Sequence, residues 1–489
     1  MNLLTDKFIS TTVGKVSLKD ILTSDTDYQL QYFFDEIQLA MFQLLGSLST
    51  IVLKPTMDEL RSYLIKGVTE NKYDEALKSI DLSLFHSQSF MCSKSDKSDS
   101  FVAPITKMIS GIECGGSANA FGLFSEISSA EVICTDCAPV LNYNLHMNIK
   151  GECFSKTGAT GIRGGGAIST LVATKTLKKT ILANTIAIDF FTEKYEYEKG
   201  VENALMWEKP PEGDVYYAHK MGLERGLFAL AYHMKFNVLD APCICDVCGA
   251  TGAQSIREFS RLKYTGVYGS TKNGRELGAG WWPHPYTPTT KKQEGIFPVC
   301  ARGQGWQSWQ NFTSYIIGQE TDKALSFPAP IVEQYKDLVS GHANLLVGGN
   351  IADQGSVIGR VYDMYPMPEH WDANLARITK VIKEGLRVKE RLSMAINKIF
   401  AAGYDKAFVA GIKENAMQQF VSNAQSIIQG LLLDLDRKSE RELRKEALKD
   451  LKQEAVSIHR SLISKYQNDL PLFKALVKGE KALFSLGLE

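Results

Sequence analysis

The sequence has few cysteines and no long apolar segment, and each shortage excludes a class of protein. Nine cysteines among 489 residues are too few for a disulfide scaffold, and their odd number favours a reducing cytoplasm. No apolar run reaches the ~18 residues that a membrane span needs. The N-terminal residues also lack the basic region that begins a secretory signal. We therefore expect a cytoplasmic chain that has no membrane partner.

An excess of charge of either sign is also missing. Fifty-five Lys and Arg residues balance 55 Asp and Glu residues, whereas a protein that binds nucleic acid by itself is usually basic. Any nucleic acid must therefore be bound locally, or together with partners that supply positive charge. With 44% apolar and 22% charged residues, the composition is that of a folded globular protein, which excludes disorder and fibres.

Proline is missing between Pro368 and Pro471, and this gap divides the chain. Before it, glycine and proline recur between short apolar runs, which is typical of an irregular mixed domain. There the patterns predict strands at 168–172 and 185–189, and helices at 38–53 and 331–339.

After the gap, apolar residues recur at spacings of three and four, which predicts one face of a helix. They are Leu375, Ile378, Ile382 and Leu386. Further helices are predicted at 406–433, 439–464 and 472–486, with breaks at Gly403 and around 468–471. We predict an α+β protein with an irregular mixed N-terminal globular domain over 1–365 and a C-terminal four-helix bundle over 366–489.

Two C-x-x-C pairs are the strongest local motif. Cys134 and Cys137 form one pair, and Cys245 and Cys248 form the other. Each pair can place two thiolates on a tight turn, at the separation that a tetrahedral Zn²⁺ requires. Four cysteine ligands leave no open position for water, so this zinc would be structural. Buried thiols without metal, or a redox pair, remain alternatives.

Other motifs are weaker. The glycine-rich turn at 161–166 lacks the Lys-Ser/Thr pair and the following helix of a phosphate-binding loop, so we interpret it as a close-packed turn. His284, between two prolines, is interpreted as structural. Residues 347–357 predict a hairpin with Gln354 at its tip. A basic stripe recurs at helical spacing, which suits either a DNA backbone contact or an ordinary solvated face; its members are Lys380, Lys383, Arg387 and Arg391.

Together with the cysteine pairs, several short motifs resemble a known family. They are Met1-Asn2-Leu3-Leu4, Phe90-Met91, Gly161-Ile-Arg163-Gly164-Gly165, Arg225-Gly226-Leu227-Phe228, Trp282-Pro283-His284-Pro285 and Gly348-Gly349 with Gln354. The chain resembles the large-subunit family, CasA, of the type I-E CRISPR Cascade complex, from its first residue through its helical C-terminus.

This resemblance implies a function without catalysis. A member of the family sits in an RNA-guided surveillance complex with CasB-, CasC-, CasD- and CasE-like subunits and a CRISPR guide RNA. It recognises the protospacer-adjacent motif in double-stranded DNA and promotes strand separation and R-loop formation. It then recruits the type I helicase-nuclease for antiviral defence.

The resemblance also implies roles for particular residues. The family's glutamine wedge falls on Gln354, flanked by Asp353 and Gly355. Its lysine finger falls on Lys272 or Arg275, and its glycine loop on Gly158. The loop that docks toward the guide end corresponds to about 121–129, with Leu123 and Phe124 as its apolar contacts.

Two other functions are compatible with the residues themselves. One is a zinc-stabilised enzyme that binds a nucleotide at the 161–166 turn. The other is a purely structural scaffold subunit that makes no DNA contact.

Overall fold

Two compact units make up the chain. The first contains Met1–Ala301, Gly318–Val339 and Leu345–Asp363, and the second contains Arg302–Ile317, Ser340–Asn344 and Met364–Glu489. The computed structural model describes residues 1–92, 101–110, 130–149, 159, 161–164, 166–194, 202–211, 215–216, 221–264, 267–268, 282–292, 295–303, 306–317, 319–321, 324–338, 342–353, 356–367, 371 and 373–485.

Helices and short strands alternate through most of the chain, and long helices fill its C-terminal part. The helices are α1 Leu18–Thr23, α2 Asp35–Leu53, α3 Met57–Lys66, α4 Glu70–Leu77, α5 Ala138–Met147, α6 Leu177–Ala183, α7 Ile188–Lys194, α8 Leu223–Leu227, α9 Phe312–Ile316, α10 Pro330–Leu338, α11 Leu375–Ile396, α12 Lys406–Leu433, α13 Glu440–Lys465 and α14 Leu470–Phe484.

The strands are mostly short. They are β1 Ile9–Thr11, β2 Gly14–Val16, β3 Phe101–Pro104, β4 Ile133–Cys134, β5 Ser169–Ala173, β6 Val215–Tyr216, β7 Tyr232–Leu239, β8 Cys243–Ile244, β9 Thr251–Gly252, β10 Ser255–Lys263, β11 Val267–Tyr268, β12 Thr289–Lys292, β13 Gly295–Pro298, β14 Ala301–Arg302, β15 Gln319–Thr321, β16 Ala324–Phe327, β17 Ala343–Asp353 and β18 Ser356–Met367.

Helix α2 is the central element of the first unit. Among the described residues, α2 is the one helix whose length and apolar composition would allow it to cross a membrane. However, 89% of that stretch is buried inside the protein. It packs against α4, α5 and α6. Its polar residues Gln43 and Ser47 are fully buried and hydrogen-bond to Ser169 and Tyr143. It is therefore a core helix.

Small sheets complete the first unit, and the pairings whose register is described are antiparallel, apart from the parallel pairing of β6 with β11. Strand β10 pairs with β7, with β3 and with β4. A second sheet has the order β14-β17-β18, with β5 pairing β17. The predicted strand at 168–172 is confirmed as β5, and the predicted hairpin around 347–357 is confirmed as β17 and β18.

The predicted strand at 185–189 is wrong. Residues 185–187 have no regular structure, and α7 begins at Ile188. Side chains, and not a neighbouring strand, pair with this backbone: Gln334 accepts from the Ala187 N–H at 2.7 Å and donates to the Thr185 carbonyl at 2.8 Å. Thr185 and Ile186 are buried, but they lie in a connection.

The second unit contains four long helices in its described C-terminal part. Helix α12 spans the residues predicted for it, and α13 and α14 begin and end within about two residues of their predicted positions. Helix α11 contains the predicted apolar face from Leu375 to Leu386. Gly403, with φ +84°, precedes α12, and Ser439 caps α13 in a box with Glu442. Helix α11 contacts the other three.

Side-chain pairs give the direction of these helices. Lys380 meets Glu440 and Glu384 meets Arg444, so α11 and α13 run parallel. Helices α12 and α13 are joined by the short connection at 434–439 and meet again at Asn423 and Glu454, so they run antiparallel. Helices α13 and α14 meet at Lys452 with Phe484 and at Arg460 with Glu480, so they run antiparallel too. The helices therefore follow an up-down-up-down course, as short connections require.

Candidate metal centre and nucleic-acid interface

The two cysteine pairs come together at one buried point of the first unit. The Cys134 and Cys248 Sγ atoms are 3.9 Å apart, and those of Cys137 and Cys245 are 3.7 Å apart. All four Sγ atoms lie within 4.8 Å of one another. A tetrahedron with Zn–S bonds of about 2.3 Å has edges of about 3.8 Å. These four residues can therefore hold a metal ion.

Backbone hydrogen bonds shape both cysteine turns. The Cys137 N–H donates to the Cys134 carbonyl at 3.2 Å, and the Gly249 N–H donates to the Cys245 carbonyl at 2.8 Å. Gly249 has φ +74°, a conformation that favours glycine, and a Cβ there would meet the Phe33 ring at 2.8 Å. The turns are thus formed by the protein's own backbone.

A carboxylate then joins the two turns. Asp246 Oδ2 accepts from the backbone N–H groups of Glu131 and Val132, each at 2.8 Å. The Asp246 N–H in turn donates to the Val132 carbonyl at 3.0 Å. The turn of Cys245 and Cys248 is therefore fixed against residues 131 and 132, which precede the turn of Cys134 and Cys137. The two cysteine pairs are over 100 residues apart in the sequence.

The cluster has the electrostatics of a cation site. A hydrogen bond with Cys134 and burial raise the pKa of Cys137 well above its ordinary value, whereas a hydrogen bond from Cys134 lowers the pKa of Cys248. Crowded thiols cannot all ionise beside one another without a cation, and a bound metal requires them ionised. A metal would therefore stabilise the ionised form of all four.

The predicted wedge residue falls in the connection between β17 and β18. Only positions 354 and 355 separate the two strands of this hairpin. Asp353 is the last residue of β17. The other residues predicted to read or dock lie outside the described residues: Gln354, Gly355, Lys272, Arg275, Gly158, Leu123 and Phe124.

Sequence inspection missed a buried carboxylate that binds a strand of this hairpin. Glu36, in the first turn of α2, is 2% exposed and forms an ion pair of 2.6 Å with Arg360 of β18. Two acidic residues at a helix start are an ordinary stabilising feature. The one available clue was that the charge precedes an almost wholly apolar helix.

The Gly161 turn is a packed structural element. Arg163 is 1% exposed, and its guanidinium donates to Thr287 Oγ1 and Ser169 Oγ, each at 2.7 Å. It also donates to the carbonyls of Met147 and Ile168 and to the side chain of Asn148. Because its donors are occupied by the protein, Arg163 is not available to a phosphate. His284 is buried too, as expected for a structural residue.

The basic stripe on α11 is partly neutralised by the protein. Lys380 pairs with Glu440 at 2.6 Å, and Arg387 pairs with Glu384 at 2.9 Å. Lys383 is exposed and Arg391 is half-buried. The four cations are therefore not equivalent as candidates for a phosphate contact.

The cysteine centre and the hairpin occur in a chain that matches one family along most of its length. The model of the CRISPR-associated protein Cse1 family matches residues 2–458. The chain belongs to the CRISPR-associated Cse1 family. This confirms the resemblance to the CasA large subunit of type I-E Cascade that the motifs indicated.

Solved structures share the fold of this Cse1 family member. CasA (Cse1) of Thermus thermophilus matches with a TM-score of 0.71 and 14% identity, covering 99% of this chain and 98% of that one. Cse1 of Thermobifida fusca matches with a TM-score of 0.68 and 14% identity, covering 99% and 97%. A chain of a CRISPR RNA-guided surveillance complex matches with a TM-score of 0.68 and 13% identity, covering 99% of both.

Proposed function

We propose that this Cse1 family member is the DNA-motif-reading subunit of a type I-E CRISPR RNA-guided complex. It recognises the protospacer-adjacent motif in double-stranded DNA, promotes strand separation and R-loop formation, and recruits the helicase-nuclease. In such complexes guide pairing supplies the long sequence specificity, so the protein needs to read only a short duplex element. The observation that supports this role is the tightly connected β17–β18 hairpin in a Cse1 chain.

A hairpin with a two-position connection suits this task, because little chain separates its tip from the paired strands. A side chain driven between base pairs costs a few kcal/mol of unstacking per step, so the strands behind it must resist displacement. Gln354 is the wedge of this proposal, with Asp353 and Gly355 beside it. A cation at Lys272 or Arg275, and the backbone at Gly158, complete the contacts in the minor groove, whose degenerate code makes recognition permissive.

The partners follow from the family and from the charge balance. A chain with no net charge needs subunits that supply a positive field along the DNA. CasB-, CasC-, CasD- and CasE-like subunits with the guide RNA provide it in the cytoplasm, and Leu123 and Phe124 dock this chain near the guide end. The stripe on α11 adds contacts to the DNA backbone.

The chain itself is proposed to be non-catalytic. The cysteine cluster holds a structural Zn²⁺, because four sulfur ligands leave no position for a reacting water. We assign motif recognition and docking to a domain over 1–365, and the four-helix bundle to 366–489. The buried and fully occupied Arg163 argues against an enzyme that binds a nucleotide at the 161–166 turn.

Replacing the wedge tests this function. In the assembled complex, Gln354→Ala should slow opening of a target with a matched adjacent motif by tenfold or more, since ~1.4 kcal/mol of lost wedge interaction already changes a rate tenfold. Opening is followed by fluorescence of a base analogue next to the motif. The control is Gln467→Ala, the same change in the exposed turn between α13 and α14. Unchanged opening in Gln354→Ala and in Lys272→Ala would favour the scaffold function.

A further inference from the structure

The N-terminal segment over residues 9–34 contacts both cysteine turns of the candidate metal centre. The Phe33 N–H donates at 2.9 Å to the carbonyl of Val247, which lies between the two cysteines of one pair. Lys15 of β2 pairs through its ammonium with Asp136, which lies between the two cysteines of the other pair. A segment that is distant in the sequence therefore completes the surroundings of both turns.

The backbone of this segment fixes the place of Lys15. Strands β1 and β2 pair antiparallel, and Gly14, directly before Lys15, has φ +110°, a conformation that favours glycine. The hairpin is joined to the end of the segment, since the Ser10 N–H donates to the Tyr32 hydroxyl at 3.1 Å. The side chains of Lys15 and Asp136 are 25% and 24% exposed. Lys15 is therefore held half-buried beside the metal centre, where solvent screens its charge only in part.

The sulfur atoms of the centre act on this lysine. Burial lowers the pKa of Lys15, but its hydrogen bond to Asp136 and the charges of Cys134, Asp136 and Cys248 raise it, so that the pKa lies above its ordinary value. Electrostatic attraction is mutual, so the ammonium in turn stabilises negative charge on these sulfurs. The charge of Lys15 thus acts on one cysteine of each pair.

A bound Zn²⁺ leaves this centre with an excess of negative charge. Cysteines must be deprotonated to bind a metal, so one Zn²⁺ with four thiolates carries a net charge of about −2. Asp136 and Asp246, one in each turn, add carboxylates beside it. Among the ion pairs of the described residues, that of Lys15 with Asp136 is the one that involves a residue of either turn. Lys15 is therefore the cation that is placed to offset this charge.

A purely structural ion pair makes a different prediction. An ion pair near the surface contributes little to stability, because solvent screens it and both side chains lose freedom. If Lys15 served only this pair, loss of Asp136 would be equivalent to loss of Lys15. If Lys15 acts on the sulfurs, the two losses differ in sign, since one removes a positive charge beside the centre and the other removes a negative charge.

We propose that Lys15 is the counter-cation of the metal centre: its ammonium offsets the charge of the four thiolates and so keeps Zn²⁺ bound. This inference rests on the zinc site of the proposed function. It extends that site to the N-terminal hairpin, so that β1 and β2 contribute to metal retention without supplying a ligand. Side chains outside the ligand set commonly change metal affinity by about 10–100-fold.

Competition of the zinc-loaded full chain with a chromophoric chelator measures its Kd for Zn²⁺. Lys15→Met should raise this Kd by about tenfold or more, whereas Lys15→Arg, which retains the charge, should stay close to the unmodified chain. Asp136→Asn should leave the Kd unchanged or lower it, because it removes a negative charge while the amide oxygen still accepts from Lys15. The matched control is Lys19→Met, which removes a half-buried lysine that pairs with Asp74 at 2.9 Å and should leave the Kd unchanged.

These variants separate the outcomes. A Kd in Lys15→Met equal to that of the unmodified chain would overturn the inference, and so would an equal rise in Lys15→Met and Asp136→Asn, which indicates a structural ion pair. Lys15→Gln retains a donor to Asp136 and takes the place of Lys15→Met if that protein does not fold. An unmodified chain that binds no Zn²⁺ would instead refute the proposed zinc site, and the counter-cation with it.

Discussion

Different interactions stabilise the interior of each of the two units of this chain. In the first unit, buried polar side chains pair with irregular backbone: Asn184 donates to the Val172 carbonyl at 2.6 Å and accepts from its N–H at 3.0 Å. In the second unit the helices pair their own backbone, bury apolar faces, and place ion pairs such as Arg460 with Glu480 toward the surface. The difference follows from element length, since short strands and turns leave buried N–H and C=O groups that side chains must satisfy.

This comparison teaches where each unit is sensitive. The first unit should fail when one polar or metal-binding group is removed, because that group has few substitutes. The second unit should tolerate changes at its surface and respond chiefly to changes in helix packing. The following predictions test this contrast, beginning with the largest effect.

Loss of one cysteine ligand should have the largest effect. A structural zinc contributes roughly 10–16 kcal/mol of apparent folding free energy, which is comparable to the ~5–15 kcal/mol total stability of a domain. Cys134→Ser should therefore leave the first unit without bound zinc and without a cooperative unfolding transition. Metal analysis and calorimetry measure both properties.

The matched control for that change is Cys243→Ser. Cys243 is a half-buried neighbour in β8 that lies outside the cluster of four, so zinc content and melting should stay close to those of the unmodified chain. A Cys134→Ser protein that melts normally and holds no metal would contradict the zinc assignment.

Acid should weaken the first unit through two buried histidines, because burial lowers the pKa of both His146 and His284. Burial lowers the pKa of His146 to about 3, and the neutral ring accepts from the Ala231 N–H at 3.0 Å while its other nitrogen faces the Met91 carbonyl. Because the unfolded ring titrates near 6.5, the unfolded state binds the proton first as pH falls. Stability present above pH 6.5 should decline by about 3 kcal/mol by pH 4.5, from the pKa difference of His146 alone.

Urea unfolding at several pH values checks this slope. His146→Asn should reduce the dependence between pH 6.5 and 4.5, because it removes one of the two titrating rings and leaves His284. His342→Asn changes an exposed histidine and should retain the original slope. Equal slopes in all three proteins would show that the acid sensitivity has another origin.

A packing change should matter most in the second unit. A Cβ on Gly479 of α14 would stand 2.1 Å from the Ala395 carbonyl oxygen of α11, so Gly479→Ala must push two helices apart. Overpacking of this kind costs about 1–3 kcal/mol. In Gly411→Ala the added methyl meets no atom within 4 Å, and helix propensity should stabilise α12 by up to about 1 kcal/mol. Thermal unfolding that moves in the same direction for both would contradict this packing.

The smallest effect is expected at the basic stripe of α11. In Lys383→Ala, the plot of log binding constant against log salt concentration for the complex and DNA should become less steep by about one, which corresponds to one lost phosphate contact. Lys380→Ala should reduce the slope less, because Glu440 already compensates that charge at 2.6 Å. Titrations at several salt concentrations compare the two. Identical slopes for both variants and the unmodified chain would exclude the stripe from the DNA interface.

The contrast between the units also explains what the sequence could predict. Helix α12 could be predicted at 406–433 because apolar spacing and the absence of proline are local properties of the sequence. The cysteine centre was predictable because C-x-x-C spacing encodes half of its geometry in each pair. The ion pair of Glu36 with Arg360 was not, since Arg360 lies 324 positions away and only the tertiary fold brings the two together. The strand expected at 185–189 failed for the same reason, because its partners are distant side chains.

Motif-dependent binding by the whole complex tests the central claim most directly. Guide-loaded complexes with and without this chain are incubated with matched duplex DNA whose adjacent motif is randomised, and bound DNA is separated by gel shift and sequenced. The account predicts that a small set of motifs is enriched only when the chain is present, and that Gln354→Ala removes most of the enrichment. Binding with the same motif distribution in the absence of the chain would contradict its role as the motif reader.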